Sequence, residues 1–307
     1  MKYFFFLFLF FIEYCTAETL IQALEPVKGL NTQKVKLGEM LFFDPEFSRD
    51  GTVSCASCHK PENAWADSRA VSIGVYGRKG KINSPTVLNA VYNFKQFWNG
   101  RADSLEEQIE GPIHQTFEMD MNAQLIEEKI KKNSFYKTTF LKIYGSKDNL
   151  YKHFVDAIVE YEKSLTTPGA KFDRYLQGKV SLTQKEQKGY NLFRMYGCIT
   201  CHNGVNVGGN SFQKLGIVIP YEDCYGDRYE VTNREFDRCV YKVPTLRNLE
   251  KTAPYFHDAS AKTLKEAIQT MAYHNLGFEI DSDDVASIEA FLKSLSADVS
   301  KKGNADD

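Results

Sequence analysis

The chain has 307 residues, 43% of them hydrophobic and 25% charged, with a formal net charge of −2. That length allows two domains of ordinary size, each with its own core. The near-neutral balance supplies neither a basic field for nucleic acid nor a polyanionic tail, so no nucleic-acid partner is expected.

At the N-terminus Met1-Lys2-Tyr3 precedes an apolar run from Phe4 to Ile12, followed by Cys15-Thr16-Ala17. A basic start, a short apolar stretch and a small-residue end make a secretory signal, residues 1–17, cleaved after Ala17. A retained anchor is the competing reading, but the run falls short of the ~20 apolar residues a span needs. Lipidation at Cys15 is disfavoured by Glu13 and Tyr14 before it. Residues Asn31 to Phe43 then carry apolar side chains at helical spacing, ending at Asp44-Pro45.

Ser54-Cys55-Ala56-Ser57-Cys58-His59 is a C-x-x-C-H run, and Gly197-Cys198-Ile199-Thr200-Cys201-His202 is a second. The pattern is that of covalent c-type haem attachment, in which two thiols add to the two vinyl groups and the next His turns back onto the iron. A Cys-x-x-Cys pair alone also reads as a redox dithiol or half a zinc site. Recurrence with the appended His, in an exported chain, favours two haems with His59 and His202 as proximal ligands. Of seven cysteines, Cys224 and Cys239 remain. An oxidising compartment would join them in a disulfide, the alternative being two unrelated thiols.

After His59 a long irregular stretch, Lys60 to Pro85, is placed to wrap the haem. Ser104-Leu105-Glu106-Glu107 is a capping box opening a short helix that should stop near Gly111-Pro112. Amphipathic helices are expected over about Asn122 to Lys132 and Leu150 to Leu165, and Thr166-Thr167-Pro168-Gly169 breaks the pattern. The break divides the chain into domains at 18–166 and 167–307. A second capping box at Thr183 leads a helix into the second motif, residues Gly204 to Arg238 read as loop, Thr263 caps a helix through Ile268 and Met271, and Asp281 to Leu295 forms the last. The fold class is mostly α: two cytochrome c-like domains, each binding one covalent haem c.

With these segments in hand, the chain resembles the bacterial dihaem cytochrome c peroxidase family, which also contains the MauG-type enzymes. The resemblance lies in Leu37-Gly38-Glu39-Met40-Leu41-Phe42-Phe43-Asp44, Asn83-Ser84-Pro85-Thr86-Val87-Leu88-Asn89-Ala90, Phe97-Trp98-Asn99-Gly100-Arg101-Ala102, Gly111-Pro112-Ile113 with Glu118-Met119, Val243-Pro244-Thr245-Leu246-Arg247-Asn248 and Ala253-Pro254-Tyr255-Phe256-His257. It implies an N-terminal peroxidatic haem, a C-terminal high-potential haem and a calcium ion between the domains. It also implies hydrogen peroxide as substrate, a small donor such as a monohaem cytochrome c or a cupredoxin, a periplasmic location and a homodimer.

Residue by residue, the resemblance makes Glu118 the distal proton shuttle, a role that a raised pKa in a partly dry pocket would suit. It makes Gln108 a pocket amide and Trp98 the aromatic between the haems. Met271 becomes the sixth ligand of the second haem, whose thioether raises the potential. Asn83, Thr252 and Pro254 become oxygen donors to calcium. MauG-type enzymes have Tyr at the Met271 position, so Met271 favours peroxidase over oxidation of a protein substrate. A non-catalytic dihaem carrier is a third reading, and it would keep both axial sites filled.

One position departs from the family. Many members carry a His sixteen residues after the first haem His, closing that iron until the other haem is reduced; here the residue is Val75. Valine cannot bind iron, so the first site is expected to be open without prior reduction, unless His114 or Tyr76 substitutes. His257 is expected near the second haem but not as a ligand, and His153 and His274 are expected to be structural.

Overall fold

The structure, a computed structural model, describes residues 20–298; the signal expected over 1–17 lies outside them. Ten α-helices and one two-stranded sheet are found among the described residues. The first half contains α1 (Thr32–Phe43), α2 (Leu105–His114), α3 (Ala123–Lys132), α4 (Ser134–Tyr144) and α5 (Leu150–Ser164). The second contains α6 (Lys171–Leu176), α7 (Gln184–Met195), α8 (Tyr229–Thr232), α9 (Leu264–Met271) and α10 (Ser282–Ser294). Strands β1 (Phe212–Lys214) and β2 (Val240–Lys242) pair antiparallel, with Phe212 opposite Lys242.

Each half is built on two helices that cross at a glycine. Asn31 caps α1 by accepting from the Gln33 and Lys34 N–H groups, and α1 buries Leu37, Gly38, Leu41 and Phe42. A Cβ on Gly38 would lie 1.9 Å from the Ala157 carbonyl oxygen of α5, so only glycine permits this approach. In the second half the Thr183 capping box starts α7, and a Cβ on Gly189 would lie 1.9 Å from the Ser287 carbonyl oxygen of α10. A C-x-x-C-H motif follows α1 and α7 in turn, so each crossing anchors one motif. Two separate apolar cores result, one around Phe42, Phe47 and Tyr161, the other around Phe172, Phe193 and Phe291.

The helix at Ser104 runs two residues past its expected stop, through Pro112 to His114. The Pro ring removes only one N–H donor near the helix end, and the Gln115 N–H still closes the last turn on the Gly111 carbonyl. Helices α4 and α6 form where spacing and caps predict none, and the expected loop over Gly204 to Arg238 contains β1 and α8. Residues 20–24 pack with the half that is distant in sequence: Ile21 bridges Gly204, and the Leu24 N–H donates to Asp173. Cys224 and Cys239 form the expected disulfide.

Between the halves, Asn89 and Asn248 each adopt a left-handed backbone with φ of 59°. Each donates its side-chain amide to the Thr167 hydroxyl at 2.8 Å. One linker residue thus receives the same group from both halves. The symmetry extends along the chain, because Asn83 to Gln108 and Lys242 to Ala267 run in register: Pro85-Thr86 with Pro244-Thr245, Phe97-Trp98 with Phe256-His257, and Ser104-Leu105 with Thr263-Leu264. Phe97 and Phe256 share left-handed φ values of 67° and 68°.

Candidate functional site

A single cavity of about 1070 Å³ is lined by Cys55, Cys58 and His59 on one side and by Cys198, Cys201, His202 and Met271 on the other. The four cysteines carry no disulfide. Burial raises all the shifted thiols, Cys55 up to about 12 and Cys198 up to about 11. Among the described residues no group of three or more His, Cys, Asp or Glu is placed to hold a metal ion.

The two histidines are held alike. His59 Nδ1 lies 3.2 Å from the Trp65 carbonyl, with the Pro85 carbonyl also beside the ring. The His202 ring has the Val207 and Pro244 carbonyls beside it, although its Nδ1 makes no hydrogen bond of normal geometry. A carbonyl only accepts, so the proton belongs on Nδ1 and the Nε2 lone pair is left for iron. Burial depresses both imidazoles, His202 to about 4, which keeps them neutral as a ligand must be. Residues and cavity fit two attached haems.

Near the first motif the cavity wall includes Gln108, Pro112, Phe117 and Glu118. Gln108 Oε1 is buried without a hydrogen-bond partner. Burial pushes the Glu118 carboxyl above its usual range, and the nearby Arg101 charge partly opposes that shift. Arg101 was not singled out by sequence reasoning; it stacks on Phe97 at 3.3 Å and also lines the cavity. The Val75 N–H donates to the Glu118 carbonyl at 2.9 Å, and a Cβ on Gly74 would come within 2.1 Å of the Phe117 carbonyl oxygen. This close docking of the loop fixes the Glu118 turn.

Val75 itself is completely buried in the first core, and Gly74 occupies the cavity wall beside it. Neither substitute ligand stands at the cavity. Tyr76 is 58% exposed with its N–H on Asp50, and the His114 ring bonds the Met121 carbonyl and the Tyr151 hydroxyl, both at 3.1 Å. Besides His59, no described histidine of the first half lines the cavity.

Trp98 lies where the halves meet. Its Nε1–H donates to the Asn83 carbonyl at 2.9 Å, and its ring meets Tyr241 and His257 edge-on, each at 6.3 Å. Trp98 and His257 are equivalent positions of the internal repeat, so each half contributes one member of this aromatic contact. His257 is 1% exposed, with its Nε2 2.6 Å from the Asp223 carbonyl and 3.1 Å from the Tyr241 hydroxyl. A carbonyl partner again requires the ring nitrogen to donate there, so Nε2 carries the proton. His153 stacks on Tyr144 at 4.1 Å and His274 bonds the Ile219 carbonyl, both away from the cavity.

Met271 ends α9, where Ala272–Leu276 widens into a π turn. Its thioether shares the cavity with His202. Asn83, Thr252 and Pro254 line the same cavity, and Asn83 Nδ2 donates to the Arg69 carbonyl at 2.9 Å, which orients the amide. With no acidic cluster nearby, a cation there would rely on neutral oxygens and water.

Fold and cavity define a c-type cytochrome scaffold of two cytochrome c-like domains built to attach two haems. Comparison with known proteins carries this further. Residues 32–181 match the family described as di-haem cytochrome c peroxidase, and residues 186–296 match cytochrome c. The chain is 45% identical to the cytochrome c551 peroxidase of Nitrosomonas europaea, over 91% of this chain and 84% of that one. It is 42% identical to the cytochrome c peroxidase Ccp of Escherichia coli, over 88% of this chain but 61% of that longer protein. Among solved structures, a MauG-like protein associated with microbial copper homeostasis superposes with a TM-score of 0.80 at 25% identity, covering 92% and 95% of the two chains. The chain belongs to the di-haem cytochrome c peroxidase family. It is an oxidoreductase of the cytochrome-c peroxidase class.

Proposed function

We propose that this protein reduces hydrogen peroxide to water in the periplasm, drawing two electrons from a small soluble donor such as a monohaem cytochrome c or a cupredoxin. Its two units are 18–166, carrying peroxide chemistry, and 167–307, receiving electrons. The observation that carries the reading is a polar stretch in the wall of the cavity that His59 also lines: Gln108 Oε1 has no hydrogen bond, and burial raises the Glu118 carboxyl against the opposing Arg101 charge. When bound, the haems supply the electrons and the electrophilic iron that break the O–O bond. Glu118 takes the proton from the near oxygen of peroxide and returns it to the far oxygen, while Gln108 holds the bound molecule. Met271 and His202 hold the second iron, the thioether raising its potential. Trp98, in ring contact with residues of the other half, lies on the route between the sites. Asn83, Thr252 and Pro254 hold calcium.

Export is supported by the signal sequence and by the disulfide, and no helix among the described residues is long and apolar enough to cross a membrane. Met271 in place of Tyr separates this reading from a MauG-like oxidation of protein. A homodimer is the assembly this reading carries.

The test is stopped-flow absorption of fully oxidised holoprotein mixed with hydrogen peroxide and no reductant. A rapid change in haem absorption is expected, because neither Val75, Tyr76 nor His114 reaches the cavity. An oxidised protein that is inert, and responds only after one-electron reduction, would overturn the open first site. Absence of turnover with peroxide and any reduced cytochrome or cupredoxin would overturn the peroxidase reading itself.

A further inference from the structure

Lys242 is 7% exposed and lines the cavity shared by the two haem motifs. Burial pushes its ammonium down to about 8, and no carboxylate among the described residues counters that shift. A buried cation left without an anion is strongly unfavourable, so such groups are retained where a partner arrives. The cavity carboxylates of the protein have other partners or remain apart: Glu118 faces Arg101, Glu230 accepts from the Gly226 N–H, and Glu162 is held uncharged, its pKa raised to about 8 by burial. The missing anion therefore belongs to whatever fills the cavity.

The internal repeat locates this lysine. Lys242 is the counterpart of Asn83, and the two backbones are held identically: the Asn83 N–H donates to the His257 carbonyl and the Lys242 N–H to the Trp98 carbonyl, both at 2.8 Å. Each therefore stands at the contact between halves, one presenting a neutral amide and the other a full positive charge. We propose that Lys242 is a built-in counter-ion for haem carboxylate, its ammonium pairing with a propionate of a haem attached at Cys55–Cys58 or Cys198–Cys201 and raising the reduction potential of that haem. Reduction adds negative charge to the haem, which a fixed neighbouring cation stabilises. The inference rests on the two-haem reading above.

Lys242→Met and Lys242→Arg holoproteins, each verified to carry two haems by pyridine haemochrome, test it through the midpoint potentials of both haems in a spectroelectrochemical titration. Lys242→Met should lower the potential of one haem with axial-ligand spectra unchanged, and Lys242→Arg should stay near the wild type. Two unchanged potentials in dihaem Lys242→Met would overturn the proposal. A crystal structure of the wild-type holoprotein tests it independently of whether the variants fold: Nζ within hydrogen-bond distance of a haem carboxylate supports it, and Nζ held only by protein groups or water overturns it. Fewer than two haems per wild-type chain would instead remove the reading beneath it.

Discussion

Glu118 and Gln108 are ordinary residue types whose surroundings give them a task. The carboxyl of Glu118 sits above its usual range because burial outweighs the opposing Arg101 charge. A base works in its deprotonated form, so the rate with peroxide should fall as pH drops through the Glu118 pKa. That acid limb is expected above the ordinary carboxylate range. Glu118→Gln should lower kcat/KM for peroxide by about 10²–10⁴-fold and abolish the limb; a variant that retains both rate and limb would remove Glu118 from the proton path. The partner residue was visible only in the fold. Nothing in the sequence joins Arg101 to Glu118, because their approach depends on α2 and on the loop docked through Gly74.

At the scale of elements, the helix crossings carry the architecture. Gly38 and Gly189 would each drive a Cβ to 1.9 Å from a backbone carbonyl oxygen, a group that cannot swing aside as a long side chain can. Alanine normally favours a helix over glycine by ~1 kcal/mol. Here overpacking should dominate, and Gly38→Ala or Gly189→Ala should destabilise the holoprotein by about 1–3 kcal/mol, read as a lower denaturant midpoint. An unchanged midpoint would mean that the helices separate freely. These helices were legible from caps and spacing: Ser104, Thr183 and Thr263 each accept from a first-turn N–H group as their sequence contexts imply, and α1 follows its apolar spacing. Helix α4 was not, because Ser134–Tyr144 is rich in aromatic and β-branched residues of modest helix propensity. Burial of Tyr136 and Phe140 and the Asn133 cap decide it instead.

Across the whole molecule, two halves of related design are joined by matching residues and divided by unmatched ones. Asn89 and Asn248 meet on Thr167, and Trp98 meets His257. Where the first half has Gln108 the second has Ala267, so this pocket amide has no counterpart in the second half. The Arg247–Asp173 ion pair, fully buried at 2.9 Å, also binds residues 22 and 24 to the second half. If Trp98 couples the two sites, Trp98→Ala should slow steady-state turnover with donor while leaving the direct reaction of the oxidised first haem with peroxide unchanged. The Asn83 carbonyl would also lose a hydrogen bond worth about 1 kcal/mol. Equal turnover by both proteins would exclude that route.

The local information in the chain determined the two attachment motifs, the capped helices, the leftover cysteine pair and the family to which the ordered segments belong. Those features are read at short range, where spacing alone sets which groups can reach one another. Tertiary structure decided that both motifs open onto one cavity, that Val75 is a core residue and His114 a surface one, and that Lys242 stands buried at that cavity. Burial and charge separation depend on which distant segments pack together, and no single stretch of sequence contains that information.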